Sequence, residues 1–384
     1  MSRSKVLDRD PTVIGARCSL VGCPTKGLEV PAFTIKELTI PTSIDGAGWT
    51  DFARAVGVGN TVEAITYGTT DLAYTAEEQL PHFHNRFEPR RVLVARLRGE
   101  IVGRGVYETL AGDDSDTAWV NIEVLPAHRG AGIGKALADG IEALVRADPK
   151  AKIIAYIGVQ DAAGERLTAP TGFGSVPLRN RDVKFLLARG YSFEQVERMS
   201  RLALPVAGLD SLVASASAAS GPDYRVITWH GRTPERWQSD LAMLGTRMST
   251  DAPTAGLEEP EDVWSIERII EADDRMQVSG LDRLVTAIEY VPTNSLVGFT
   301  VLAVPPSTSR AVAQYATIVV REHRGHRLGM LLKVANLEHL ARVHPGHPSV
   351  TTFNAEENRH MLAVNEAVGF VGIGFEAAWR KNLA

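Results

Sequence analysis

VLPAHRGAGIGKAL, from Val124 to Leu137, is the most informative segment of this sequence for the fold. It places three glycines within five residues, after an apolar run and before a segment with helical spacing. A strand, a glycine-rich turn and a helix start leave backbone N–H groups unpaired, and the helix dipole adds positive charge there. Glycine lets an anion approach the backbone closely. The stretch therefore predicts a phosphate-binding loop, with Arg129 and Lys135 adding charge beside it.

Two common phosphate-binding loops do not fit this spacing. A Walker A loop needs G-x-x-x-x-G-K-[S/T], whereas Lys135 is followed by Ala136, so the hydroxyl that binds Mg²⁺ is missing. A dinucleotide-binding loop needs G-x-G-x-x-G within a parallel βαβ unit. Here the glycines run G-x-G-x-G, after strands predicted to be joined as hairpins. The sequence thus argues against an NTPase and against an NAD-dependent enzyme.

The same supersecondary unit occurs twice in the chain. Residues 316–332, ATIVVREHRGHRLGMLL, match residues 121–137 when Arg324 is aligned with Arg129, 195 residues earlier. Between the two units, SLVASASAASGP (Ser211–Pro222) is small, polar and unpatterned, which predicts a flexible linker. We therefore expect an N-terminal arm at 1–30, one domain at 31–205, a linker at 206–222 and a second domain at 223–384.

Both halves have the same predicted order of elements. In the first half, Arg90–Leu110 reads as two strands around the Arg98–Gly99 turn, and Ile133–Ala147 has the apolar spacing of a helix. In the second half, a strand pair surrounds Thr293–Asn294, and a helix runs from the second glycine loop through Val343. Each half is therefore expected to be a mixed α+β fold, with a central, mostly antiparallel sheet flanked by helices.

Composition limits the possible functions. The net charge is −5, with 44% hydrophobic and 23% charged residues, which is ordinary for a soluble globular protein and gives no basic surface for nucleic acid or membrane lipids. No apolar run reaches the length of a membrane span, and the N-terminus lacks a secretory signal pattern. Two cysteines, Cys18 and Cys23, make neither a disulfide framework nor a metal site. A cytoplasmic protein without a metal is expected.

Two blocks of sequence carry a resemblance to a known family. Arg129–Gly134 fits R-x-x-G-x-G at every position and resembles the acyl-CoA loop of the GNAT superfamily of N-acetyltransferases. Thr352–Phe370 resembles the GNAT block in which an Asn follows the fifth strand and Gly-Phe ends the next helix. Over residues 31–384 the chain is thus identified as a tandem GNAT protein, similar in organisation to mycothiol synthases.

The resemblance implies an N-acetyltransferase that transfers an acyl group from acetyl-CoA, or another short acyl-CoA, to the amine of a small molecule. The amine would attack the thioester directly, and a backbone N–H of the fourth strand would stabilise the oxyanion. A monomer or homodimer is expected. The residues implied to bind CoA are Ile122, Glu123, Val124, Arg129, Gly130, Ala131, Gly132, Ile133, Gly134, Lys135, Thr317, Ile318, Val319, Arg324, Gly325, His326, Arg327, Leu328, Gly329, Met330, Asn354 and Asn358.

The resemblance does not determine the general acid and base. The candidate catalytic residues are Tyr315, on the fourth strand of the second half, Asn365, at the position where many GNATs have a tyrosine acid, and Glu289. A water chain or the C-terminal carboxylate are alternatives for the base. Mycothiol synthases carry a carboxylate at the position of Ala313. We expect the chemistry in the second half, with Tyr315 relaying a proton and Asn358 binding the pantetheine amide.

The first half has a regular loop but departs from the family pattern elsewhere. Val120 and Leu186 stand at positions where relatives carry catalytic side chains, and the Asn signature is missing before Tyr191. In the second loop Arg327 replaces a glycine, and we expect its guanidinium to bind the pyrophosphate. The first half would then be a scaffold or a second CoA site. The alternative function is a CoA-binding sensor or scaffold that has lost catalysis in one or both halves.

Overall fold

A computed structural model of the protein describes residues 33–112 and 116–383. The predicted arm at 1–30, both cysteines and the C-terminal Ala384 lie outside these residues. Within the described part, every helix is too short or too polar to cross a membrane.

The first half contains eight strands and four helices among the described residues. In chain order they are β1 (Phe33–Glu37), α1 (Trp49–Tyr67), α2 (Ala76–Phe83), β2 (Arg90–Leu97), β3 (Glu100–Glu108), β4 (Thr117–Val124), α3 (Ile133–Ala147), β5 (Lys152–Gly158), the small hairpin β6 (Arg166–Thr168) and β7 (Ser175–Pro177), α4 (Arg181–Ala188) and β8 (Ser192–Ala203). Helix α5 (Leu209–Ser220) follows.

The second half repeats the main elements. They are β9 (Tyr224–His230), α6 (Glu235–Asp251), α7 (Ile266–Val278), β10 (Asp282–Tyr290), β11 (Ser295–Val304), β12 (Val312–Val319), α8 (Leu328–Val343), β13 (Ser349–Ala355), α9 (Arg359–Val368) and β14 (Val371–Asn382). The predicted hairpin turns are confirmed, because Arg98, Gly99 and Asn294 adopt the positive φ angles that tight turns require. The mixed α+β fold predicted from the sequence is also confirmed.

Twelve strands form one continuous sheet, in the order β1-β2-β3-β4-β5-β14-β8-β13-β12-β11-β10-β9. The two central strands are exchanged between the halves. β14, from the second half of the sequence, lies between β5 and β8 of the first half, and β8 lies between β14 and β13. Each half therefore completes its sheet with a strand from the other.

The order of strands reads the same from either edge of the sheet, with β5 matching β13 and β14 matching β8. This agrees with the same order of elements predicted for both halves, and it places a pseudo-two-fold axis between β14 and β8. The antiparallel register of these two strands places Glu376 directly opposite Glu197. The predicted bounds 31–205 and 223–384 remain a prediction, but neither segment contains every strand of its own sheet.

The predicted flexible linker is wrong for most of its length, because Leu209–Ser220 forms helix α5. Leu209, Leu212 and Val213 have helical spacing and pack against the apolar core of the second half, while Ala216 is buried. The quoted stretch began at Ser211 and so omitted Leu209, the first residue of this apolar face. Alanine, the best helix former, supports the rest of the helix.

Candidate active site

Each half opens a cleft where two parallel strands separate. β4 pairs with β5 only from Thr117 to Trp119, although both strands continue beyond this point. β12 and β13 pair only at Val312 and Ala313. Beyond these pairs, backbone N–H and C=O groups on the facing edges are free to bind a ligand.

The first glycine loop presents an open anion site. Gly130 and Gly132 have φ angles of +82° and +84°, and Gly132 caps the N-terminus of α3. A Cβ added at either glycine would meet no atom within 4 Å, so the outer face of the loop is unobstructed. The Arg129 side chain is fixed by a 2.8 Å hydrogen bond from its Nε to the carbonyl oxygen of Val124. The N–H groups and the helix dipole together favour an anion here.

The first cleft is a pocket of about 390 Å³ that extends from the loop to α1 and β14. Eight of the residues predicted to bind CoA line it, namely Ile122, Glu123, Val124, Arg129, Gly130, Gly132, Gly134 and Lys135. Ile133 instead belongs to the buried core, with 1% of its surface exposed. Glu123 lines the pocket and also forms an ion pair with Arg104.

Four ionisable side chains face the part of the first cleft where the strands separate: Glu63 and Tyr67 from α1, Tyr156 from β5 and Glu376 from β14. Burial, with the nearby Glu123 carboxylate, raises the pKa of Glu63 to about 7. Burial and the Glu197 carboxyl raise the pKa of Glu376 well above its usual range. The pKa of Tyr67 is raised mainly by burial, so its hydroxyl remains protonated. The first half thus has groups that can take a proton, contrary to the expectation from Val120 and Leu186.

Tyr67 is held directly over the sheet by two glycines. A Cβ at Gly374 would lie 2.6 Å from the Tyr67 ring, and one at Gly158 would lie 2.9 Å from its hydroxyl oxygen. The ring also packs edge-on against Phe353 of the second half, with the ring centroids 6.1 Å apart. This close approach places the Tyr67 hydroxyl in hydrogen-bonding contact with Glu376.

The second glycine loop has the same backbone but a different charge balance. Arg324 repeats the contact of Arg129, with its Nε 3.0 Å from the carbonyl oxygen of Val319. Asp251, on α6, forms ion pairs with Arg321 at 3.1 Å and with Arg324 at 2.9 Å. A carboxylate of the protein therefore already pairs with two arginines of this loop, including Arg324, which the resemblance implied would bind CoA.

Arg327 stands where the first loop has Gly132, and it adopts a φ angle of +54° at the N-terminus of α8. Its guanidinium forms no ion pair or hydrogen bond within the described residues. Lys333, on α8 after the loop, is buried, and its Nζ lies 5.6 Å from the centre of the Phe370 ring. Burial lowers its pKa to about 7.

The other second-loop residues follow the same backbone course. Gly325 has a φ angle of +92°, Leu328 is buried at the start of α8, and Ile318 is buried in the core. The Thr317 hydroxyl forms a hydrogen bond with the Thr300 hydroxyl on the neighbouring strand. His326 lies against the Tyr224 ring, with the ring centroids 5.2 Å apart.

The structure does not bring the three predicted catalytic residues together. The Tyr315 hydroxyl is 3.2 Å from the hydroxyl of Tyr74 in the first half. Asn365 is buried, and its Nδ2 donates to Oδ1 of Asn354 at 2.6 Å. Glu289, near the far edge of the sheet, accepts a 2.7 Å hydrogen bond from Nε of Arg225.

The asparagine block is largely occupied by structural contacts. Asn358, expected to bind pantetheine, caps α9 by accepting a hydrogen bond from the backbone N–H of Met361 at 3.3 Å. In the first half Asn180 caps α4 in the same way, through the N–H groups of Asp182 and Val183. The expectation that the first half lacks such an asparagine is therefore wrong. Asn180 lies one residue before the start of α4, at Arg181.

A second pocket, of about 570 Å³, lies between the halves. Its walls include Glu108 and Trp119 from the first half and Arg275 and Tyr315 from the second. The second glycine loop does not contribute to its lining. Among the described residues, no cluster of His, Cys, Asp and Glu suits a metal ion.

Comparisons with known proteins agree with this architecture. Residues 62–169 match the model of the acetyltransferase (GNAT) family. The structure is similar to that of a tandem GNAT protein from the clavulanic acid biosynthesis pathway, with a TM-score of 0.67 and 23% identity, over 91% of this chain and 98% of that one. Residues 62–169 thus carry a GNAT-family domain, and the whole chain has the fold of a tandem GNAT protein.

The GNAT fold also relates it to a GCN5-related N-acetyltransferase from Sphaerobacter thermophilus, with a TM-score of 0.58 and 13% identity, over 91% of this chain and 95% of that one. A search of curated protein sequences finds no match.

The ionisable groups of the first GNAT cleft lie outside the motifs used to recognise the family. Glu63 and Tyr67 are four residues apart and therefore share one face of α1. Glu376 is an acidic residue within an apolar strand, FEAAW, which is a signal that sequence inspection could have found. Its location in the first cleft could not be predicted, because it depends on the strand exchange.

Proposed function

We propose that the chain is an acyl-CoA-dependent N-acetyltransferase whose first cleft transfers an acetyl or other short acyl group to the amine of a small molecule. Acetyl transfer as the general activity is supported by the family and the fold. The observation that carries the finer proposal is the union, in one cleft, of an open glycine loop and buried groups that can accept a proton. The proposal moves the chemistry from the second half, where the sequence favoured it, to the first.

The residues of the first loop fit the donor. The N–H groups from Gly130 to Lys135 and the guanidinium of Arg129 would hold the pyrophosphate, and the open space above Gly132 admits it. The edge of β4 beyond Trp119 is free to pair with the pantetheine arm as an added strand. When bound, acyl-CoA supplies an activated thioester, so the protein has to position the amine and remove its proton.

The lining of the cleft supports an amine as the acceptor. Glu63 and Glu376 line the pocket opposite the basic loop, and as buried carboxyls they can accept a hydrogen bond or a proton from an amine. The pocket volume of about 390 Å³ suits a small molecule that shares the space with the acyl end of the donor.

The experiment is an acceptor screen with the purified full chain. Release of the CoA thiol from acetyl-CoA would be measured against diamines, amino acids, amino sugars and aromatic amines. We expect at least one amine to raise thiol release at least tenfold above the rate of hydrolysis, with the acetylated amine confirmed by mass spectrometry. Tight CoA binding without transfer to any amine would favour the alternative, a CoA-binding sensor or scaffold.

A further inference from the structure

We propose that Glu376, on the strand that the second half inserts into the first, is the general base of the first cleft, and that Glu197 beside it sets its affinity for a proton. Glu197 is a positioning residue in this scheme, since it acts through Glu376. The inference rests on the function proposed above and names a catalytic residue for it.

The register of the central strands puts Glu376 at the wide end of the cleft. It lies opposite Gly158, the last residue of β5, and on its other side opposite Glu197 of β8. Gly158 leaves no side chain between the Glu376 carboxyl and the separated strands. The Tyr67 hydroxyl contacts the carboxyl from above, and both side chains line the pocket. The carboxyl is thus oriented toward the place where an amine would meet a thioester.

No cation neutralises this carboxyl. Within the described residues, neither Glu376 nor Glu197 forms an ion pair with lysine or arginine, and residues directly opposite in antiparallel strands have side chains about 5 Å apart. Two buried carboxylates at that separation repel each other, so the pair retains a proton at higher pH than an isolated carboxyl does. A carboxylate with a low pKa is too weak a base to take a proton from an amine. The repulsion raises the pKa of Glu376 and so makes it a stronger base.

Further ionisable groups face the pair from every neighbouring element. Glu63 and Tyr67 face it from α1, Tyr156 from β5, Glu259 from the segment before α7 and Glu357 from the segment before α9. The carboxyls among them, Glu63, Glu259 and Glu357, strengthen the preference for a protonated pair, whereas the hydrogen bond from the Tyr67 hydroxyl lowers the pKa of Glu376. Glu63 differs from Glu376 because the Arg104 guanidinium on β3 partly offsets its charge. Glu376 is therefore the stronger candidate.

The reaction balances without any other reactant. The amine nitrogen forms a bond to the acyl carbon, and the bond from that carbon to sulfur breaks. Glu376 takes the proton that the amine loses, and later returns it to solvent. The departing thiolate takes up a proton from solvent, so that the products are an amide and the free thiol.

The test compares three isosteric variants, Glu376→Gln, Glu197→Gln and Glu63→Gln, on the best amine from the acceptor screen. We expect Glu376→Gln to lower kcat about 100-fold or more, while the affinity for CoA measured by calorimetry stays within threefold. Glu63→Gln should lower kcat less than tenfold. Glu366→Gln on α9, where the side chain is half exposed and pairs with Arg198, controls for the loss of one carboxylate.

Glu197→Gln tests the role of Glu197 through the pH profile of kcat, which a purely structural role would leave unchanged. Removing the neighbouring carboxylate lowers the pKa of Glu376, so the base is deprotonated at lower pH. The acidic limb of the pH profile of kcat should therefore shift to lower pH, and the maximal rate should fall, though less than in Glu376→Gln, because Glu376 remains but is a weaker base.

The possible results separate the two proposals. If the wild type transfers acetyl groups and Glu376→Gln retains more than half of kcat, or if Glu63→Gln has the larger effect, Glu376 is not the base and the proposed function stands. An unchanged pH profile in Glu197→Gln overturns the role of Glu197. If the wild type binds acetyl-CoA but acetylates no amine, the proposed function fails, and the assignment of a base fails with it.

Discussion

The two glycine loops share a backbone and differ in what surrounds them. Arg129 and Arg324 make the same hydrogen bond to the strand before the loop, 195 residues apart. The first loop opens onto a pocket, whereas the arginines of the second are paired with Asp251. Helix α3 presents Ala138 to the first cleft, and α8 has the buried Lys333 at the matching position. A duplicated loop motif therefore does not establish two equivalent sites, because the same backbone can have different charged and buried neighbours.

The largest expected effect tests whether the halves are independent. Trp379, on β14, is fully buried in the core of the first half, with its ring centroid 5.1 Å from that of Phe193. Trp379→Ala should lower the free energy of unfolding by about 3–5 kcal/mol, because a large cavity replaces the indole. Chemical denaturation measures the loss, and hydrogen exchange locates it in segments 90–160.

Trp237→Ala is the matched control, since this residue is buried in the core of the second half. It should weaken the protection of segments 224–304 instead. If Trp379→Ala weakens only second-half segments, the strand exchange does not couple the halves as the sheet order indicates.

The next effect distinguishes the two loops as CoA sites. Gly130 and Gly325 have similar φ angles of +82° and +92°, so Gly130→Glu and Gly325→Glu carry the same backbone strain. Gly130→Glu should weaken CoA binding about 100-fold or more, because a carboxylate then opposes the pyrophosphate. Gly325→Glu should change it less than threefold, and the wild type should bind one CoA per chain. Calorimetry giving two sites, or equal effects of both variants, would make the loops equivalent.

The smallest effect concerns the buried lysine of the second half. In the unfolded chain the pKa of a lysine is about 10.4, and burial lowers that of Lys333 to about 7. Folding therefore costs free energy that grows as the pH falls from about 10 to about 7 and is constant below. Lys333→Met should raise the free energy of unfolding by about 1–3 kcal/mol at pH 6 and by less at pH 10.

Denaturant titrations at the two pH values measure this difference. Lys135→Met is the control, because Lys135 is exposed on α3 and pairs only with Asp139. A gain for Lys333→Met that does not depend on pH would mean that Lys333 is charged without cost in the folded protein.

The sequence alone predicted the structural features that are encoded locally or that occur in both halves. The hairpin turns, the helix after each glycine loop and the duplication itself are encoded in short segments, because turn residues and apolar spacing act over a few positions. Helix α5 was not predicted, because the stretch Ser211–Pro222 excludes Leu209, the first residue of its apolar face. The asparagine cap of the first half was not predicted either, because Asn180 lies one residue before the helical pattern that begins at Arg181.

The contents of the clefts could not be predicted in the same way. Tyr67, Gly158 and Glu376 meet only through the folded sheet, and no local pattern records that β14 lies beside β5. Nor does the second loop motif indicate that Asp251, about 70 residues before Arg324, forms an ion pair with that arginine. Long-range pairing and compensating charges are properties of the tertiary structure.

The exchange of the central strands also governs how the protein is made. A ribosome releases β5 and β8 long before it reaches Val371, where β14 begins. Until then the growing chain has an unfilled gap in its first sheet, bounded by two unpaired strand edges of the kind that promote aggregation. The cleft of the first half can therefore mature only after synthesis of the second, and nascent chains would depend on chaperones to keep those edges apart from other polypeptides.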